Sequence, residues 1–257
     1  ILGSVKSVKE ITSEELRRFV KEKFVPEAMA FTIVADIDEK RMEAGLLKLV
    51  GKFFADFRPS GNGLVRPARV ELCNVFDEMI SRKTHEANAV VGGYAPSLYE
   101  EKERLATVLL SNILAGPAMN SILNSILREK HGWVYGVESS YTQYADTGIL
   151  AISLGCEKEN LDRCLAAIDK EILKLQTQEL TERKLNAAKK QLLGQLAISS
   201  DNGEAQCLSM GKSLLAYDKV WTGAETRSQI EGITSGQIME MACRIFAPGK
   251  TSRLTMI

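Results

Sequence analysis

One stretch, Asn120 to Gly155, constrains the fold more than any other, because its apolar period changes part of the way along. In its first third Ile122, Leu123, Ile126 and Leu127 stand at i, i+1, i+4 and i+5, the stripe of an amphipathic helix with one face turned inward. Arg128, Lys130 and His131 crowd the last turn, where cations suit the negative end of the helix dipole. Gly132 can then close the helix in the left-handed conformation. From Val134 aromatic and β-branched residues run to Tyr144, Asp146-Thr147-Gly148 supplies turn chemistry, and Ile149 to Leu154 reads as a returning strand. The stretch is helix, strand, turn, strand, and Arg128 and Tyr135 flank its helix-to-strand corner.

Around it, helical spacing predicts helices over 13–23, 39–56, 100–115, 159–176, 181–197 and 204–216, with a last one after Thr234. Strand-like runs are expected at 29–35, 69–76, 86–94 and 254–257. Hairpin connections, rather than strand-helix-strand alternation, imply an α+β fold: a mainly antiparallel sheet with helices packed on one face. Arg58-Pro59-Ser60-Gly61-Asn62-Gly63 breaks both periods and is the expected linker, dividing the chain into 1–60 and 61–257.

A repeat gives that division a meaning. Ile11-Thr12-Ser13 opens a helical pattern ending Phe24-Val25-Pro26, and Ile233-Thr234-Ser235 opens one ending Phe246-Ala247-Pro248, every counterpart 222 positions apart. Both copies carry a capping box, Thr12 with Glu15 and Thr234 with Gln237, and both lead into a strand-like run. On this reading residues 1–60 are the tail of a first unit whose body is missing, and 61–257 are a complete second unit. The opening Ile1 fits a processed product or an excised fragment. The strand at 29–35 would then be an open edge that invites pairing with a second copy of the chain or with the second unit.

Charge and cysteines exclude several functions. With 33 basic and 33 acidic residues the formal net charge is zero, so attraction to nucleic acid is not expected. No apolar run approaches the roughly 20 residues that span a bilayer, and no secretory signal opens the chain, so no membrane partner is expected. Cys73, Cys156, Cys164, Cys207 and Cys243 are odd in number and widely spaced, which suits free thiols in a reducing compartment, so a cytoplasmic location is expected, with the periplasm as the alternative. A catalytic zinc needs about three protein ligands, whereas the only histidines are His85 and His131. His85-Glu86-Ala87-Asn88-Ala89 begins like H-E-x-x-H but has alanine at the second histidine position, and no H-x-x-E-H is present. No metal site is expected in this chain.

The motifs AGPAMNSILNSILREKHGWVYGV and YADTGILAISLG, in that order, resemble the C-terminal half of the pitrilysin and insulysin (M16-like) zinc metallopeptidases, a group that includes mitochondrial processing peptidase. The loop Ala115-Gly116-Pro117 has fewer glycines than is usual there, and Ser121-Ile122-Leu123 replaces a common Ser-Arg-Leu. The resemblance implies two similar units in tandem, zinc in the first, and peptides cleaved in a chamber between them. It also implies that Arg128 and Tyr135 reach the substrate from the second unit, with no catalytic residue in this chain itself. Read without the family, Arg128 is a helix-terminal cation and Tyr135 a half-buried strand aromatic. The expected partners are a peptide substrate and either the missing N-terminal unit or a second peptidase chain. The alternative function is a non-catalytic scaffold or partner subunit of a peptidase-like complex.

Overall fold

The computed structural model describes residues 3–25, 28–36, 38–53, 74–82 and 84–257. In chain order the helices are α1 (Val5–Glu10), α2 (Ser13–Lys23), α3 (Glu39–Phe53), α4 (Glu101–Ala115), α5 (Leu161–Thr177), α6 (Glu182–Ser200), α7 (Gly203–Tyr217), α8 (Gly223–Glu231) and α9 (Ser235–Ile245). The strands are β1 (Asp77–Ile80), β2 (Glu86–Ala95), β3 (Val134–Gln143), β4 (Gly148–Glu157) and β5 (Thr251–Met256). These elements fall into two compact units, one drawn from residues 1–65 and 197–221, the other from 66–196 and 222–257. The linker expected at 58–63 lies outside the described residues.

The second unit is an α+β layer. Its sheet has the order β1-β5-β2-β4-β3, with β1 parallel to β5 and every other pairing antiparallel. Ala87, Ala89 and Val91 of β2 and Leu150, Ile152 and Leu154 of β4 are buried, while the residues between them are exposed or half-exposed. One face of the sheet is therefore covered and the other open. The cover comes from α4, α5 and α9, whose Leu109, Leu110, Leu114, Ile168, Ile238 and Ile245 share one core with Ala87, Ala89, Leu150, Ile152 and Leu154.

Two expectations are corrected here. Residues 69–73 of the strand expected at 69–76 lie outside the described residues, and 74–76 form none, the strand beginning at Asp77. Its partner β5 is remote in sequence and β1 is exposed along its whole length, so no apolar alternation marks it. Residues 29–35, in the first unit, do not form the expected strand. A strand exists only against a partner that takes its backbone groups. Here Thr32 meets α7 instead, its hydroxyl donating to the Cys207 carbonyl at 2.8 Å and the Cys207 thiol donating to the Thr32 carbonyl at 3.2 Å.

The β3–β4 hairpin is pinned to the turn after β2. A side chain on Gly148 would stand 2.2 Å from the Pro96 carbonyl oxygen, so only glycine fits that crossing. Tyr141 donates its hydroxyl to the same carbonyl at 2.5 Å, and the Leu98 N–H donates to the Tyr144 carbonyl at 2.9 Å. Tyr141→Phe keeps the ring and strands a buried acceptor. It should lower stability by about 1 to 2 kcal/mol, read as a shifted urea midpoint at constant slope.

Glu100 ties that turn to α9. Its carboxylate accepts from the Ser97 N–H at 2.7 Å and from the Arg244 guanidinium at 2.6 Å. Burial pushes the Glu100 carboxyl up, but the Ser97 N–H and the guanidinium together outweigh it and hold the group below its ordinary value. A carboxylate with a depressed folded pKa stabilises the fold above its unfolded value, about 4.3, and ceases to do so as pH falls through the folded one. The stability advantage of the wild type over Glu100→Gln should be present at neutral pH and vanish in acid, measured by denaturation across a pH series.

Candidate functional site

The corner after α4 is built by backbone bonds that hand a helix over to a strand. Leu123 and Leu127 are fully buried, and Ile122 and Ile126 pack against the same core. The expected inward stripe is there, but Asn124–Lys130 form a π-helix rather than an α-helix. Gly132 closes it at φ +63°, its N–H donating to the Arg128 carbonyl at 3.0 Å. The Trp133 N–H donates to the Leu127 carbonyl at 2.8 Å, which draws the start of β3 against the helix end.

Tyr135 owes its position to a β-bulge. Val134 lies opposite Cys156 and Gly136 opposite Gly155, so Tyr135 has no cross-strand partner. Val134 and Val137 are both buried, three positions apart, as no straight strand allows. The extra residue between them turns Tyr135 out, and its side chain is 57% exposed. Partial burial, followed by the carboxylates of Glu157 and Glu86, pushes the phenol above its ordinary value. Glu86 and Glu157 stand directly opposite each other in the β2–β4 register. The hydroxyl is thus a donor throughout the neutral range.

Arg128 is also exposed, and among the described residues its guanidinium makes no hydrogen bond or ion pair. The structure places Arg128 in the π-helix and Tyr135 at the start of β3, on either side of the Gly132 corner, and among the described residues no hydrogen bond or ring contact joins their side chains. Three cavities among the described residues, of about 230, 380 and 560 Å³, have other residues for walls. A guanidinium with five N–H groups and a protonated phenol can both donate to neutral carbonyl oxygens.

The two histidines are not joined here. The His131 ring stacks on Trp133 at 4.1 Å between centroids, and His85 stands in an exposed bend before β2. Cys156, Cys164, Cys207 and Cys243 are free. Burial pushes the Cys164 thiol up to about 12, which makes it inert.

Sequence reasoning missed Asn124. Its amide donates to the Gly116 carbonyl at 3.2 Å and to the Ser121 hydroxyl at 2.9 Å, closing the loop between α4 and the π-helix. The readable signal was a polar residue on the inward side of an apolar stripe. Gly116 itself is hemmed in, since a side chain there would stand 2.6 Å from the Asn112 carbonyl oxygen.

A sequence model of the family described as the peptidase M16 inactive domain matches residues 10–192, and the chain belongs to that family. A Streptomyces coelicolor protein named as an uncharacterized zinc protease is 24% identical over 244 residues, covering 94% of this chain and 53% of its own length. A Bacillus subtilis protein of the same description is 24% identical over 250 residues, covering 96% and 58%. The crystal structure of a peptidase M16 inactive domain from Pseudomonas fluorescens superposes with a TM-score of 0.77 at 21% identity, over 99% of this chain and 60% of that one. The chain therefore spans little more than half the length of the curated relatives it matches.

The zinc in the relatives' names does not fit the residues described here. Among them no three His, Cys, Asp or Glu side chains converge as a metal ion requires. Among them, too, no helix is long and apolar enough to cross a membrane.

Proposed function

We propose that this chain is the substrate-gripping, non-catalytic part of a zinc metalloendopeptidase that cleaves peptides in a chamber between two similar units. The hydrolytic machinery is supplied by the other unit, and the substrate is an unfolded or short peptide. Arg128 and Tyr135 donate to a backbone carbonyl of the extended peptide and then to the oxygen on which negative charge develops as the bond is attacked. Because main-chain groups are gripped, binding is tolerant of sequence, and the peptide can add as a strand to a sheet edge.

The observation that carries this reading is the bulge, which spends a ladder position and leaves Tyr135 57% exposed at the start of β3, just after the helix that carries an exposed Arg128. It is tested by peptide hydrolysis with the intact protein carrying Arg128→Ala or Tyr135→Phe. Undiminished turnover in both variants rejects the assigned roles. An intact protein that hydrolyses no peptide favours the scaffold reading.

A further inference from the structure

Helix α6 turns Leu185, Ala188 and Leu192 toward the core of the second unit, with the small alanine in the middle of that stripe. There α6, the end of α4 and the residues that lead into the π-helix enclose the cavity of about 230 Å³. Ile113, Ile122, Leu180 and Ala188 give it apolar walls. Pockets that hold drug-sized ligands run from about 300 to 1,000 Å³, so this one suits something smaller.

The polar groups on its walls have donors to spare. Ser121 is 4% exposed; its hydroxyl oxygen accepts from the Asn124 amide at 2.9 Å, and among the described residues nothing takes the hydroxyl hydrogen. A buried donor left without an acceptor is costly, so this one is set for an oxygen that comes from elsewhere. Asn112, 9% exposed, accepts from the Gln191 amide at 3.2 Å and donates to Gln195 at 2.7 Å. Asn112 and Gln191 each spend one amide N–H on that chain and keep the other. Lys184 stands at the exposed rim, and among the described residues its ammonium makes no hydrogen bond or ion pair. Among the described residues none of those lining the cavity is Asp or Glu.

We propose that this cavity is a binding site for a small monocarboxylate with an apolar body. The body lies against Ile113, Ile122 and Ala188, and the carboxylate accepts from the Lys184 ammonium and the Ser121 hydroxyl. A neutral body of the same shape leaves the ammonium without a counter-charge, and a basic one meets a cation with no anion to offset it. The cavity therefore selects by charge as well as by size. Two sources carry this chemistry: a free short-chain acid, and the C-terminal residue of a peptide that ends in an apolar side chain. Neither Arg128 nor Tyr135 lines the cavity, so the proposal does not rest on the roles given to them.

The test is calorimetric titration of the intact protein with isocaproate and, as its uncharged match, isocaproamide. The acid should bind with a Kd below about 1 mM and at least about tenfold more tightly than the amide. Lys184→Gln, a change at an exposed position, should bring the acid down to the affinity of the amide. Ala188→Leu, which fills the cavity from α6, should abolish the binding of both. Lys190→Gln, exposed on the same helix and not part of the cavity, should bind as the wild type does. Urea denaturation reports that each variant is folded. N-acetyl-leucine separates the two sources: tighter binding than isocaproate assigns the site to a peptide C-terminus, and weaker binding to a free acid. No binding of the acid, equal binding of acid and amide, or undiminished binding in Lys184→Gln or in folded Ala188→Leu overturns the proposal.

Discussion

Alanine at Gly93 should lower the stability of the second unit by about 3 kcal/mol, the upper end of what overpacking usually costs. Gly93 sits on the covered face of β2, where α9 crosses so closely that an added methyl would stand 2.3 Å from the Ile245 carbonyl oxygen. That oxygen belongs to the helix backbone and cannot swing aside as a side chain would. The clash is relieved only if α9 lifts from the sheet, and lifting it uncovers Ile238, Met241 and Ile245, all nearly fully buried. Gly155→Ala is the matched control. It lies on the open face of β4, and its nearest neighbour is the Asn88 amide oxygen at 3.4 Å, so stability should change by no more than about 0.5 kcal/mol. Urea denaturation of both variants measures the contrast. A Gly93 variant as stable as the Gly155 one would mean that α9 is not seated on β2 as described.

How much of this was legible in the sequence depends on whether a feature is written in side chains or in backbone partners. Helix α5 was legible because Leu161, Ile168, Ile172 and Leu175 fall on one stripe, and all four are buried. The caps of α2 and α9 were legible because Thr-x-x-Glu and Thr-x-x-Gln are side-chain patterns with a fixed geometry. Helix α8 was overlooked although Thr222 and Glu225 form the same box, since it buries only Ile230 and shows no apolar stripe. The run 29–34 misled in the other direction. Its composition favours a strand, but β-propensity measures fit to a pleated surface, and among the described residues no such surface meets it. At the candidate site the corner itself was readable, with Gly132 in the left-handed conformation where the change of period put it. The bulge at Tyr135 and the π-helix beneath Arg128 were not. Both are defined by which carbonyl each N–H finds, and that depends on β4 and on the closing loop rather than on the local pattern.

Those two features matter most for the largest functional effect to be expected. In the intact protein Arg128→Ala and Tyr135→Phe should each reduce kcat/KM for a peptide by about 10² to 10³, the usual loss when one donor to a developing oxyanion is removed. Tyr135→Phe is the sharper of the two, because it deletes only the hydroxyl from a side chain that already stands in solvent. If the hydroxyl acts on charge that appears during reaction, kcat and kcat/KM should fall together and KM should stay unchanged. If it merely holds the peptide, KM should rise with kcat intact. The double variant separates shared from independent action. Two donors to the same oxygen make a combined loss smaller than the product of the single losses, whereas donors to different carbonyls of the peptide make the losses multiply. The rate should also show no alkaline limb from Tyr135 in the neutral range, because burial and the nearby Glu157 and Glu86 hold the phenol protonated above its ordinary value. Arg128→Lys should recover only part of the loss, since an ammonium keeps the charge but not the planar fork that can reach two oxygens at once. Full activity in Arg128→Lys would reduce the arginine to a point charge, and full activity in Tyr135→Phe would leave the bulge without a catalytic reason to exist.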